Sequence, residues 1–392
     1  MTYDIMDSIL SKNGRTYESI DKGVWLFGAG IFGERMLCFL NSNDINALGF
    51  VDNNPQKINT QLRGKTIYSF EDFKKLYSNE LILLCVLRKS NEDQIIDQII
   101  RNISFVDRSF IIKYDAFMDS LVSEYCWKKQ GRMVARVVQI SLTERCTLKC
   151  KKCAHACNLV DMNATDLEVE DIISGIDVFF DIVDYIEEFV LLGGEPLLYK
   201  NLAHVVGHIG KHYRNRIGVF SITTNGTIVP NEQLLEVCEE NLVKFRISDY
   251  SNTIERLKKP YEKLAATLNQ YDIDYEFEKV EWVDFGFELV DRGTDSEILK
   301  RVFENCKTPC RELRYDRLYY CMMGRSISEN MGYGIGLDDY LDLKNIRNSE
   351  TRGKYEFLRY TLGFLDKGYI EMCQHCRGKE AYQYPLVPAE QM

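Results

Sequence analysis

The sequence has no basic block: 49 Lys and Arg stand against 59 Asp and Glu in 392 residues, a formal charge of -10. Binding of phosphates along a nucleic acid needs a positive field, so nucleic acid is disfavoured as the main substrate. No apolar window reaches transmembrane length, and the first residues, Met-Thr-Tyr-Asp-Ile-Met-Asp, lack a basic region followed by an apolar run. These absences predict a cytoplasmic chain without a membrane partner. Cysteine, by contrast, is plentiful, with 13 residues. In a cytoplasmic protein such clusters point to metal rather than to disulfides. The length is more than one ordinary core takes, so two or three domains are expected.

Three of the cysteines crowd into Cys146-Thr-Leu-Lys-Cys150-Lys-Lys-Cys153, directly behind the apolar run Val137-Val-Gln-Ile-Ser-Leu-Thr143. That run reads as a buried parallel strand, and a loop at the carboxyl end of a barrel strand is where chemistry is normally placed. Three thiolates at this spacing wrap one cuboidal iron-sulfur cluster and leave one iron without a protein ligand. Half of a structural zinc site, completed by Cys157 or His155, is the competing reading. The next strand, Glu188-Phe-Val-Leu-Leu192, decides between them. It runs into Gly193-Gly194-Glu195-Pro196, where paired glycines let backbone carbonyls approach a ligand closely and Glu195 is able to compensate an ammonium.

The two motifs, in this order and separated by one helical stretch at about 167–187, resemble the radical S-adenosylmethionine (SAM) enzymes. The resemblance implies that the open iron chelates SAM and that Gly193, Gly194, Glu195 and Pro196 hold its methionyl amino group. It also implies one-electron cleavage of SAM to a 5′-deoxyadenosyl radical, with reduced flavodoxin or ferredoxin as electron donor. Residues 131–300 then read as alternating strands and helices of a partial (β/α)6 barrel. Thr224 and Asn225, after the third strand, and Ser248, after the fourth, correspond to positions that face SAM in this superfamily. Asn225-Gly226 is also an ordinary turn pair. A fifth strand is expected at 275–280 and a sixth at 285–290.

Residues 1–130 carry their own pattern. Val24-Trp-Leu-Phe27 leads into Gly28-Ala-Gly30-Ile-Phe-Gly33 and a helix, and a second strand, Ala47–Val51, ends in Asp52. Strand, glycine turn, helix, strand and acid is the order in which helix amides meet phosphate and the carboxylate meets a ribose. The alternative is that the glycines only let the helix pack tightly. The module resembles the small Rossmann-like domain that accompanies sugar-modifying and nucleotide-sugar enzymes.

Beyond the barrel the cysteines return at Cys306, Cys310, Cys321, Cys373 and Cys376. A small hairpin is expected between Cys310 and Cys321, and a helix at 355–364 ahead of the last pair. Four thiolates from a hairpin and a distant pair coordinate one cluster fully, and a zinc ribbon is the alternative. Residues 301–392 resemble the shortened auxiliary-cluster domain, called twitch, of SPASM/twitch radical SAM enzymes. Either Cys306 or Cys310 is the first ligand.

The fold expected is therefore α/β: a small Rossmann-like parallel sheet, a partial radical SAM barrel, and a small α+β auxiliary-cluster domain. The cofactors implied are SAM and two [4Fe-4S] clusters. The substrate expected is a small molecule, a sugar or nucleotide-linked sugar, oxidised or epimerised at a carbon bearing hydroxyl. Arg311, Arg314 and Tyr315 are candidates for the proton transfer in oxidation. Cys157, or whichever of Cys306 and Cys310 is not a ligand, is the candidate hydrogen donor in epimerisation. The alternative function is a maturase that modifies a ribosomally made peptide.

Overall fold

The computed structural model describes residues 14–86, 89–306, 308, 310–347 and 350–392. The amino-terminal stretch read for a leader lies outside them. The chain divides into two compact units, Met1–Val134 and Ala135–Met392.

The first unit holds a six-stranded sheet in the order β3-β4-β2-β1-β5-β6. Its strands are β1 (Val24–Phe27), β2 (Ala47–Val51), β3 (Gln61–Leu62), β4 (Lys65–Tyr68), β5 (Leu81–Leu84) and β6 (Ile111–Lys113). All neighbours pair parallel except β3 with β4. Every residue of β1 and β5 is buried, as expected of central parallel strands covered on both faces. Trp25 meets the Phe73 ring edge-on at 5.3 Å, tying β1 to the helix Phe70–Leu76. The helix Ile31–Ser42 springs from the glycine turn after β1. A Cβ on Gly33 would lie 2.0 Å from the Gly28 carbonyl oxygen, so only glycine lets the helix start so close to the strand.

The second unit is built on an eight-stranded sheet in the order β11-β10-β9-β8-β7-β13-β14-β15. These are β7 (Val134–Ser141), β8 (Tyr185–Leu192), β9 (Ile217–Thr224), β10 (Lys244–Ser248), β11 (Tyr275–Glu278), β13 (Cys310–Arg314), β14 (Arg317–Tyr319) and β15 (Tyr340–Asp342). A separate pair joins β12 (Trp282–Val283) to β16 (Pro385–Leu386). Helices Val169–Ile182, Leu202–Tyr213, Glu232–Glu240 and Lys258–Gln270 alternate with strands β7 to β11. The side chains of a strand alternate between its two faces. On one face Phe189 and Phe220 pack in a ring cluster with Phe179 and Phe180 of the first of those helices. The opposite, inner face carries Glu188, Ser221, Arg246, Glu276 and Glu278, placed by the registers of β8 to β11.

The strand expected at 285–290 is not formed. Gly286 has φ +77 and its N–H donates to Asp284 Oδ1 at 2.7 Å, while Leu289 and Val290 both donate to the Gly286 carbonyl. This local turn closes before any ladder forms. Its place beside β7 is taken by β13, which pairs parallel with β7 from Cys310 opposite Val137. The expected hairpin is present as β13 and β14, and Tyr315 supplies its left-handed residue at φ 55. The helix expected at 355–364 runs earlier, Glu350–Thr361.

Candidate active site in the second unit

The loops after β7 and β8 are locked together by their backbones. Gly194 N–H donates to the Thr143 carbonyl and Glu195 N–H to the Arg145 carbonyl, both at 2.8 Å. A Cβ on Gly193 would stand 2.4 Å from the Thr143 oxygen, and one on Gly194 2.3 Å from the Arg145 oxygen. The paired glycines therefore serve the contact between two loops. Arg145 fastens the same loop by an ion pair with Asp166 and a 3.0 Å bond to the Leu198 carbonyl.

The cysteines of the β7 loop share one small region. Burial pushes the Cys146 thiol up to about 12, and the charges of Cys150 and Cys153 add to the rise. Cys150 is pushed up to about 11 by burial, against a hydrogen bond from Gln391. Cys153 is held down to about 5, first by a hydrogen bond with Cys157. Two amide side chains also reach the sulfurs: Asn225 Nδ2 donates to Cys146 Sγ at 3.5 Å and Gln391 Nε2 to Cys150 Sγ at 3.2 Å. Mutually interacting thiols provided with N–H donors are the donor set that an iron-sulfur cluster takes. Among the described residues, no group of three or more His, Cys, Asp or Glu forms a single-ion site.

Glu195 is fully buried. Its carboxylate accepts from Thr224 Oγ1 at 2.8 Å, Asn225 N at 2.9 Å and Leu197 N at 3.1 Å, and burial raises its pKa to about 7. Pro196 opens the short turn Pro196–Leu198 behind it. Ser248, at the end of β10, is buried, and its carbonyl accepts from Tyr261 Oη at 2.8 Å. The ends of β8, β9 and β10 thus bring Glu195, Thr224, Asn225 and Ser248 to the edge that carries the cysteine loop.

Residues 140–262 match the radical SAM superfamily, and residues 20–112 match the family described as C2185-like, N-terminal. The second unit contains a radical SAM domain. The GTP 3′,8-cyclase of Synechocystis sp. is 36% identical over 122 residues, 30% of this chain and 34% of that protein. The same enzyme of Brucella ovis is 31% identical over 104 residues, 25% and 28% of the two chains. The chain therefore spans about a third of the length of the curated relatives it matches. Among solved structures, BtrN in complex with AdoMet and 2-DOIA aligns with a TM-score of 0.36 at 15% identity, covering 65% of this chain and all of BtrN. Streptococcus suis SuiB bound to its precursor peptide SuiA aligns at 0.32 and 16%, covering 51% and 46%. Likenesses at these scores carry no weight for activity or substrate.

Two charged networks line the inner face of the radical SAM sheet. Arg246 donates to Glu188 and to Glu278, each at 2.6 Å. Fully buried Arg325 meets both oxygens of Glu312, at 2.7 and 2.8 Å, and reaches Glu329 at 2.7 Å and Glu144 at 2.8 Å. Glu144 belongs to the lead-in of the cysteine loop, so this network ties that loop to the helix Met322–Met331. Sequence reasoning missed Glu144, Glu188, Glu312 and Arg325. The only local signal was the period of two, which puts Glu188 and Glu312 on one face of their strands.

The remaining candidates separate. Cys306, Cys321, Cys373 and Cys376 line one small cavity, about 40 Å³, walled otherwise by apolar side chains such as Phe303, Ile370 and Met372. Burial raises all four thiols, and their charges act on one another. Cys310 does not line that cavity. It faces the inner wall from β13, and its surroundings are Glu188, Arg136 and Arg246. Arg314 also reaches the inner wall, donating to the Ser141 carbonyl at 3.2 Å and to Glu144 at 3.4 Å. Arg311 points the other way: it stacks 3.7 Å over the Tyr320 ring and donates to the carbonyls of Thr308, Tyr320 and Thr361. Tyr315 sits in the exposed hairpin turn. Cys157 is buried with its thiol toward Cys153 and 3.9 Å from Glu144.

In the first unit, Asp52 accepts from the Ala29 N–H at 2.9 Å and the Asn54 N–H at 2.8 Å, with Lys57 at 3.6 Å. Lys57 also donates to the Ala29 carbonyl at 2.9 Å. The acid is thus bonded to its own glycine turn. Gly30 faces open space.

Proposed function

We propose that this radical SAM enzyme abstracts hydrogen from a carbohydrate or nucleotide-linked sugar, leading to oxidation or epimerisation at a carbon bearing hydroxyl. The observation that carries this reading is the inner wall. Ser141 Oγ and Gln139 Oε1 are buried there with no hydrogen-bond partner among the described residues, between the Arg246 and Arg325 networks. Buried polar atoms left open beside charged groups suit a hydroxyl-rich ligand.

In this reading Cys146, Cys150 and Cys153 hold the SAM cluster. Gly193, Gly194, Glu195, Pro196, Thr224, Asn225 and Ser248 shape the SAM site. With SAM bound, the cluster would supply the 5′-deoxyadenosyl radical. Cys306, Cys321, Cys373 and Cys376 are assigned to the auxiliary cluster, which would supply an electron acceptor for oxidation. The Glu144 carboxylate, beside Arg314, would receive the hydroxyl proton, with the Arg314 guanidinium as its charge partner. For epimerisation Cys310 is the better-placed hydrogen donor, because Cys157 is turned toward Cys153. The twitch-like segment is 301–392 and the electron donor is a reduced flavodoxin or ferredoxin. Among the described residues, Gly30 is the glycine of the Gly28 to Gly33 turn with open space beside it, and it would be the one offered to a phosphate.

The test is to incubate reconstituted, reduced protein with SAM and carbon-deuterated aminocyclitols and nucleotide sugars. Deuterium appearing in 5′-deoxyadenosine with one of these supports the reading. Transfer only from peptides would replace it with a maturase.

A further inference from the structure

The carboxyl-terminal segment folds back onto the cysteine loop over more than 200 residues of sequence. Cys150 and Gln391 form an antiparallel bridge, Lys151 N–H donates to the Glu390 carbonyl at 2.6 Å, and Met392 N–H donates to the Lys149 carbonyl at 2.8 Å. A Lys151–Glu390 ion pair at 2.7 Å flanks the bridge. Within this strap the Gln391 side chain has one orientation that satisfies all its neighbours. Its Oε1 accepts the Lys149 N–H at 3.0 Å, which turns the amide nitrogen to the other side. That nitrogen has two hydrogens, and it has two acceptors: the Ala389 carbonyl at 2.7 Å and Cys150 Sγ at 3.2 Å. Cys150 is 7% exposed, so water does not compete freely for the sulfur.

We propose that Gln391 is a positioning residue for the SAM cluster, whose N–H···S bond to Cys150 raises the reduction potential of the iron-sulfur centre. The inference rests on the assignment of Cys150 as a cluster ligand. A donor aimed at a thiolate stabilises the more negatively charged, reduced state over the oxidised one, and hydrogen bonds to sulfur are among the factors that set the potential of such clusters. The Asn225 contact to Cys146 acts in the same sense from the other side, at the longer distance of 3.5 Å.

The experiment is a redox titration of the reconstituted full chain, followed by electron paramagnetic resonance, for wild type, Gln391→Met, Gln391→Glu and Glu390→Ala. Gln391→Glu keeps the acceptor for Lys149 N–H and removes the donor to sulfur, so the loop stays pinned even where Gln391→Met loads iron poorly. Both Gln391 variants are expected to lower the potential, with the ratio of reduced to oxidised cluster at a fixed potential falling about tenfold, roughly 59 mV for one electron. Glu390→Ala removes only the ion pair and is expected to leave the potential in place. An unchanged potential in both Gln391 variants overturns the proposal, as does an equal shift in Glu390→Ala, which would assign the effect to the strap as a whole. Failure of the ligand assignment is distinguishable: wild type would then show no reducible signal that changes when SAM is added.

Discussion

Asn225 joins the two halves of the candidate site: its backbone N–H donates to the Glu195 carboxylate at 2.9 Å while its side-chain amide donates to Cys146 Sγ at 3.5 Å. The end of β9 is thereby held by the acid of one motif and touches a sulfur of the other. Glu195 also takes the Thr224 hydroxyl and the Leu197 N–H, so its role in the unliganded protein is to organise this edge of the sheet.

Glu195 should make the stability of the metal-free protein depend on pH. Burial raises its pKa to about 7, above the ordinary value of 4.5, so folding takes up a proton between these values. Its contribution is fully present below about pH 4.5 and is lost as pH rises through about 7, a change of roughly 3 kcal/mol. Urea midpoints at pH 5 and pH 7 are expected to differ more for wild type than for Glu195→Gln. Equal differences would show that the carboxyl ionises normally in the folded chain.

Gly194→Val should separate the two loops, because any Cβ there meets the Arg145 carbonyl at 2.3 Å. The expected outcome is a loss of about 1–3 kcal/mol of stability together with weaker SAM binding and lower iron content. Calorimetric SAM affinity matching wild type would mean that the loops tolerate separation.

Cys306→Ala and Cys310→Ala should part company. The first is expected to remove the iron of the auxiliary centre, about half of the total for two clusters of equal size; the second is expected to leave iron content intact. Iron and sulfide analysis is the measurement, and iron loss in Cys310→Ala alone would reverse the ligand assignment. Zinc recovered from the carboxyl region would replace the auxiliary cluster with a structural ion.

Arg325→Met should be strongly destabilising. It leaves Glu312, itself fully buried, without its bidentate partner and removes one cation from Glu144 and Glu329. Breaking a buried pair on one side costs about 3–5 kcal/mol, readable as a lower denaturant midpoint. Glu312→Leu with Arg325→Met is expected to recover part of that loss, because the second change removes the stranded charge.

What the sequence by itself determined were the features written in contiguous residues. The Cys146, Cys150 and Cys153 spacing, the Gly193 to Pro196 turn and the glycine turn after β1 each follow an unbroken apolar strand, so local chemistry and strand period were enough to place them. The strand at 275–280 was legible and forms as β11, but the one expected at 285–290 was not there to find, because the Asp284–Gly286 turn closes on three residues inside an apolar run that reads as strand. Only the tertiary structure decided which cysteine joins Cys321, Cys373 and Cys376. Cys306 and Cys310 are four residues apart and chemically alike, but β13 begins at Cys310 and its parallel pairing with Val137 turns that thiol to the inner wall, leaving Cys306, at the end of the helix Ser296–Asn305, to face the cavity. The contact of Gln391 with Cys150, 241 positions apart, has no trace in either segment's own pattern. It exists because backbone groups of the loop are satisfied by a segment that arrives from the far end of the chain.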